Sequence, residues 1–542
     1  MELALSAPAG AVGAANRCYN PAKLMLRKRI STLLLLAMVG VAPLAKAAGK
    51  PPLEDRIDQL LAQPDVARGF WGIEIVSLPK GRVLYARNEH KLFTPASNTK
   101  LFTTATALAL IGPDYRFRTT VETTGSLDKY GRLTGDLVVV GRGDPNLSGR
   151  VLPYNLHTER DPQPIKVLSD LADELVRKGL KFVDGDVVAD DSYYAFERYG
   201  EGWSQDDLVW GDGAPVSALT INDNVVFVNI LPADHIGDRA FVSITPFADY
   251  YRIDNRIITT PPGTGPRKIY INREPGSHTL TLWGNMPVDD AGANEALAIE
   301  DPADYAADLF RQLLEQRGVI VYGRSRTHHT ELASLSTVTV TSLASRGGGS
   351  SSVLSPQDQR LVLASYQSQP LAEDLTVINK VSQNLHAELL LRLLGREKGN
   401  AGTIQAGEEV LRTFLTQQVG ISPDEFVFYD GSGLSRENLV TPHALVQLLQ
   451  YASTQPWALL YEGTLPVAGV DGSLADRLKG TPAMAHVQGK TGSLNHVNAL
   501  SGYATTPKGE KIAFSILANN HHLPDREALN AIDQIVLAVM QQ

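Results

Sequence analysis

Apolar and polar positions divide the chain into three stretches of different character. Near the start, Leu53, Ile57, Leu60 and Leu61 fall on one side of a helix predicted over residues 53–62. Two apolar β runs, 71–76 and 83–85, flank the turn Leu78-Pro79-Lys80-Gly81-Arg82, a hairpin by pattern. The mainly apolar run 101–111 reads as a buried helix. From about Arg118 short strands take over: 119–124 and 137–140, with the turn cluster Gly141-Arg142-Gly143-Asp144-Pro145-Asn146 after the second. An amphipathic helix over 165–179 ends on glycine, and 183–299 alternates short strands such as 241–244 and 279–282 with Pro/Gly turns. A helix over 305–317 and a strand over 319–322 follow. Beyond Ser345-Arg346-Gly347-Gly348-Gly349-Ser350-Ser351-Ser352, a flexible surface loop by composition, helices dominate: 371–380, 385–394, 403–417 and 442–452. Strands 500–504 and 512–517 and a helix over 528–540 close the chain. No internal repeat is visible.

That order is βα at the front, ββα at the end and β-rich material between. It predicts an α/β (α+β) domain with an antiparallel sheet, assembled from both ends of the chain and interrupted by an insertion. The changes of character put the first domain at 48–118 and 345–542, a second at 119–182 and 300–344, and a β-rich third at 183–299 nested in the second. A length of 542 residues agrees, because one core rarely grows that large.

Charge changes the picture at the N-terminus. The net charge is −9, yet the first 47 residues carry Arg17, Lys23, Arg27, Lys28, Arg29 and Lys46 against one acid, Glu2. Removing that +5 leaves −14 for the rest, with no basic stripe, which argues against nucleic acid as a partner. Arg27-Lys28-Arg29 precedes an apolar segment over 30–44, and Ala45-Lys46-Ala47 offers small residues for cleavage before Ala48. Residues 1–47 therefore read as an N-terminal extension plus signal peptide, with Met25 a more natural start than Met1. The apolar segment falls short of the roughly 20 residues of a membrane span, so export without a retained anchor is expected. Cys18 is the only cysteine and lies in the removed part, which excludes disulfides, thiol catalysis and cysteine metal sites from the mature chain.

The candidate chemistry starts at Ser97-Asn98-Thr99-Lys100, at the head of the buried run. Residues at i and i+3 share a helical face, so the Ser97 hydroxyl would sit beside the Lys100 amine, a nucleophile beside a base that desolvation can neutralise. Ser-x-x-Lys alone is weak, and Ser77/Lys80 and Ser126/Lys129 repeat it in turns. Two further clusters give it weight: Ser382-Gln383-Asn384 in a break between helices, and Lys490-Thr491-Gly492-Ser493 ahead of the terminal strands. A second Ser-x-Asn, Ser493-Leu494-Asn495, shows how common that pattern is. Ser-x-x-Lys, then Ser-x-Asn, then Lys-Thr-Gly is the order found in penicillin-binding proteins and β-lactamases.

Those three motifs resemble, together with Gly141-Arg142-Gly143-Asp144-Pro145, Tyr429-Asp430-Gly431-Ser432-Gly433-Leu434-Ser435-Arg436 and the large insertion, the penicillin-binding protein 4 type of the peptidase S13 family. The resemblance runs from about residue 52 to the C-terminus and implies a D-alanyl-D-alanine carboxypeptidase, often also an endopeptidase acting on peptidoglycan cross-links. It implies Ser97 as acylated nucleophile, Lys100 as base, Ser382 as proton relay and Asn384 as a hydrogen bond to the substrate amide. Lys490 would supply positive charge, Thr491 and Ser493 would bind the terminal carboxylate beside Gly492, and the Ser97 and Ser493 N–H groups would form the oxyanion hole. On the same basis Asp207, in Gly202-Trp203-Ser204-Gln205-Asp206-Asp207-Leu208, would bind the amine end of a diaminopimelate side chain, with Arg436 assisting. Gln383 stands where many relatives carry aspartate, and no role in the reaction is expected for it. Lys100 should lose its proton in the folded site while Lys490 keeps its own. The implied partners are peptidoglycan stem peptides and β-lactams as covalent inhibitors, in the periplasm, with no metal and no cofactor; the oligomeric state stays open. A β-lactamase or esterase of the same fold, or an idle peptidoglycan-binding protein, are the alternatives. The long insertion argues against the first, the complete Lys-Thr-Gly cluster against the second and the full motif set against the third.

Overall fold

The computed structural model describes residues 51–154, 163–246, 249–335 and 360–542. The apolar segment 30–44, the cleavage position before Ala48 and the glycine–serine stretch 345–352 lie outside the described residues.

A five-stranded antiparallel sheet joins the two ends of the chain. Its order is Val487–Leu494, Val497–Thr505, Lys511–Asn519, Phe70–Ser77, Arg82–Arg87. The period of two along each strand serves both faces. Ile73, Ile75, Leu500, Ile512, Phe514 and Ile516 pack with Leu53, Ile57 and Leu61 of the first helix and Ile532, Ile535 and Val536 of the last. Val76, Ala499, Tyr503, Ala513 and Leu517 face the opposite way, into a core with Leu101, Phe102, Ala105 and Leu108. The helix carrying those four residues, Thr99–Leu110, is buried from Thr99 to Leu108. Its threonines fit there because they bond back to the backbone: Thr104 to the Lys100 carbonyl (2.6 Å) and Thr106 to that of Phe102 (2.8 Å). Helices Leu371–Lys380, Asn384–Lys398, Ile404–Phe414 and Pro442–Ala452 complete that side, and a π turn over Leu415–Val419 ends the third of them.

The inserted part is built on a second five-stranded sheet, ordered Ser325–Thr330, Val187–Ala195, Leu137–Val140, Arg118–Thr123, Leu361–Gln367. Two of these strands pair across the boundaries expected from composition. Leu361–Gln367, beyond 345, pairs antiparallel with Arg118–Thr123. Val187–Ala195, beyond 183, pairs with Leu137–Val140 and Ser325–Thr330. The β-rich stretch that follows forms two three-stranded sheets. One is centred on Thr279–Pro287 and the other on Val225–Leu231.

Candidate active site

Ser97 lies in a single tight turn, Ala96–Asn98, from which the buried helix Thr99–Leu110 continues. Ala96 takes a left-handed backbone (φ 48°), which a residue with a Cβ adopts only when its surroundings impose it. Two neighbours do so here. The Thr99 hydroxyl donates to the Ala96 carbonyl (3.0 Å), and Gly433 (φ +83°) packs so closely that a Cβ there would lie 1.8 Å from the same oxygen. Fully buried Asn98 donates to the Lys490 carbonyl (3.1 Å), and a Cβ on Gly492 would lie 2.8 Å from the Pro95 carbonyl. The Lys-Thr-Gly strand, at the edge of the first sheet, is thereby pressed against the serine turn.

Lys100 is fully buried, and its Nζ touches three oxygens: Ser97 Oγ (2.9 Å), Asn384 Oδ1 (2.6 Å) and the Ser432 carbonyl (2.6 Å). The last two can only accept hydrogen bonds, whereas the Ser97 hydroxyl can accept or donate. If Lys100 loses a proton, its two remaining hydrogens stay on the pure acceptors and its lone pair turns to the Ser97 O–H. Burial lowers the Lys100 pKa to about 8, against partial opposition from Asp430, Glu388 and Asp212. Asp430 and Glu388 are themselves fully buried and hold the Gly431–Ser435 loop by its backbone: Glu388 accepts from Gly431 and Ser432 N–H (both 2.9 Å), and Asp430 from Gly433 (2.8 Å) and Ser435 (2.6 Å).

Lys490 is just as buried, and its Nζ donates to Ser382 Oγ (2.8 Å) and the Thr491 carbonyl (2.8 Å). Burial and the charge of Lys100 push its pKa well below the usual lysine range, and no carboxylate opposes them. The two lysines therefore differ in what opposes burial: acids lie near Lys100, and none offsets the shift at Lys490. Desolvation acts on both lysines, but only Lys100 has acids to offset it.

Ser382 (φ 66°) occupies the break between helices Leu371–Lys380 and Asn384–Lys398, as the sequence suggests. Gln383 carries more than expected. Its Oε1 caps the following helix by accepting from Leu385 N–H (3.0 Å), and its Nε2 donates to Asp223 Oδ2 (3.0 Å). Asp223, from the insertion, also reaches His386 Nε2 (3.1 Å), whose Nδ1 meets Asp374 (2.7 Å). Burial alone would lower the His386 pKa, but Asp374 and Asp223 outweigh it and hold the imidazole above its ordinary value. An aspartate at 383 would stand against Asp223, which gives a physical reason for an amide at this position. Asp144, from the Gly-Arg-Gly-Asp-Pro cluster, lies near the same network, and burial raises its carboxyl to about 7.

Ser97, Ser382, Asn384, Thr491 and Ser493 line one cleft of about 410 Å³, and Asp207 and Arg436 line it too. Burial raises the Asp207 pKa, with Arg436 pulling the other way. The segment carrying Asp207 is anchored on the catalytic side: Trp203 Nε1 donates to Asp430 (3.0 Å), Arg436 N–H to the Gly202 carbonyl (3.4 Å) and Asn384 Nδ2 to the Asp212 carbonyl (2.9 Å). All ten residues singled out in the sequence thus fall in or directly behind this cleft. The supporting residues His386, Asp223 and Glu388 stand out in no sequence motif, because buried acids and histidines carry no local pattern.

Residues 53–346 and 342–542 match the D-Ala-D-Ala carboxypeptidase 3 (S13) family. The chain belongs to that family. It is a D-alanyl-D-alanine carboxypeptidase, a hydrolase. The D-alanyl-D-alanine carboxypeptidase of Actinomadura sp. strain R39 is 34% identical over 506 residues, covering 91% of this chain and 86% of that one. The D-alanyl-D-alanine carboxypeptidase DacB of Haemophilus influenzae is 26% identical over 460 residues, covering 83% and 86%. The crystal structure of penicillin-binding protein 4 from the same organism has the same fold, with a TM-score of 0.74 at 24% identity over 90% of this chain and 98% of that one.

Proposed function

We propose that Ser97 attacks the carbonyl between the two terminal D-alanines of a peptidoglycan stem peptide and becomes acylated. The contact of 2.9 Å between Ser97 Oγ and a lysine whose other partners can only accept carries this reading. The hydroxyl proton passes to Lys100 as the C–O bond forms. The Ser97 and Ser493 N–H groups stabilise the oxyanion, at about 3 kcal/mol per donor. Ser382, held by Lys490, hands a proton to the departing D-alanine amine, and water then hydrolyses the ester. Thr491 and Ser493 take the substrate carboxylate, whose negative charge favours the protonated form of Lys490, and Asn384 bonds the substrate amide. Asp207 with Arg436 is the pair for the amine-bearing end of a diaminopimelate side chain. β-Lactams acylate the same serine, because their strained amide mimics the dipeptide.

The chain acts in the periplasm after export through its leader. No helix among the described residues is long and apolar enough to cross a membrane. A D,D-endopeptidase activity on cross-links accompanies carboxypeptidase activity in this reading, with Asp207 and Arg436 lining the same cleft as Ser97. A fluorescent penicillin should label the purified protein and leave Ser97→Ala unlabelled; no label on the intact protein would sink the reading. Digestion of purified sacculi, with analysis of the released muropeptides, separates carboxypeptidase from endopeptidase products.

A further inference from the structure

We propose that His90, His443 and Glu425 form a binding site for a divalent transition-metal ion of the Zn(II) class, clamping the segment that leads into Ser97. One ligand atom from each of the three lies within 4.8 Å of the other two. Around a tetrahedral zinc with bonds of about 2.0–2.2 Å, such atoms stand about 3.3–3.6 Å apart. A shift of about 1 Å closes the difference, and the His90 side chain, 61% exposed, is free to make it.

Three features mark the cluster as more than a set of surface charges. Glu74, buried in the first sheet, lies behind His443, with both carboxylate oxygens near Nδ1 (3.1 and 3.2 Å). A histidine that gives its Nδ1–H to a carboxylate has Nε2 left as a coordinating atom, the arrangement that supports imidazole ligands in metal sites. Glu425 meets His90 Nδ1 through Oε1 (2.8 Å), while its Oε2 is buried with no hydrogen-bond partner. A buried carboxylate oxygen without a donor is costly, and a cation satisfies it. The two imidazole rings lie 4.7 Å apart, where two protonated rings would repel and one metal ion can use a lone pair from each.

The backbone already aligns these segments. Glu425 accepts from Thr441 N–H (3.0 Å), Glu89 from His443 N–H (3.0 Å), and Phe93 exchanges hydrogen bonds with Val440 (2.9 and 2.8 Å). An ion held here would join the segment entering the Ser97 turn to helix Pro442–Ala452 and to the strand Phe426–Val427. Two nitrogen donors and one oxygen favour zinc-like ions over magnesium or calcium, which prefer all-oxygen sites. The metal takes a neutral imidazole at each histidine, and a ring that was protonated beforehand releases that proton to solvent on binding. None of the three residues lines the catalytic cleft.

The test uses the full chain after chelator treatment, titrated with zinc chloride and, in parallel, magnesium chloride by isothermal calorimetry, with thermal unfolding as a second readout. One zinc per chain, a melting temperature that rises with zinc but not with magnesium, and loss of both in His443→Ala support the site. His90→Ala serves as the second variant, since that exposed side chain can be removed without disturbing the core. No zinc binding by the intact protein, or unchanged stoichiometry in His90→Ala and His443→Ala, overturns it.

Discussion

Behind the cleft, Lys100 lies near buried Asp430 and Glu388, while Lys490 has only a hydroxyl and a carbonyl. Both lysines are wholly out of water, so burial disfavours their charge alike. Their difference comes from what lies behind them. The acids that fold the Gly431–Ser435 loop also hold the Lys100 pKa at about 8, where proton uptake and release are both easy near neutral pH. Lys490 has no such acid to offset burial, so an arriving carboxylate is the group that would favour its charge. One residue type thus does two jobs, and second-layer acids decide which.

Five substitutions would break or sharpen that contrast, in falling order of effect. Lys100→Ala should slow acylation by roughly 10²–10⁴-fold, the range for loss of a positioned base, measured as the rate of β-lactam mass addition to the intact protein. A near-normal rate would move the base elsewhere. Lys490→Ala should lower kcat/KM for a D-Ala-D-Ala peptide by roughly 10²-fold, with much of the loss in KM, because a charge-assisted contact of about 1.5–3 kcal/mol goes with it. A pure kcat effect would contradict the carboxylate-binding role.

Gln383→Asp should reduce stability by about 1–3 kcal/mol, because it sets a carboxylate against buried Asp223. The loss should be read from denaturant midpoints and should shrink in acid, where one carboxylate takes a proton. Gln383→Asn keeps an amide and should cost less; equal losses for both would remove Asp223 from the explanation. The smallest effect concerns the pH profile. The acylation rate should rise with pH through about 8 as Lys100 becomes neutral. Glu388→Gln removes a negative charge that favours protonated Lys100, so this limb should move to lower pH by up to about 1 unit. A shift to higher pH would invert the assignment of the acids.

Much of the chemistry was legible because the three motifs are local. Each needs only a turn or a helix start, and such features show in residue type and spacing: the apolar run after Ser97, the break at Ser382, the glycine after Thr491. The terminal helices and strands were equally plain, since one-faced burial leaves a strict period of 3.6 or 2. The pairing of distant strands was not. Leu361–Gln367 alternates like any strand, and nothing in those residues says that its partner is Arg118–Thr123, far earlier in the chain. Strand pairing is decided by competition among many distant partners, which a local pattern does not record.

By itself the sequence determined which serine and lysine could work together, once the motif order singled out one of three Ser-x-x-Lys copies. In the fold the other copies show other uses: Ser77 and Lys80 both reach Glu510 (2.5 and 2.9 Å), and Lys129 follows Asp128, whose carboxylate holds a turn at Tyr130. Only the tertiary structure decided the state of the two lysines. A pKa depends on burial and on charges within a few ångströms, and here those charges come from Glu388 and Asp430, hundreds of residues from Ser97 along the chain. The same holds for Gln383, which local reading left without a role until Asp223 was found opposite it.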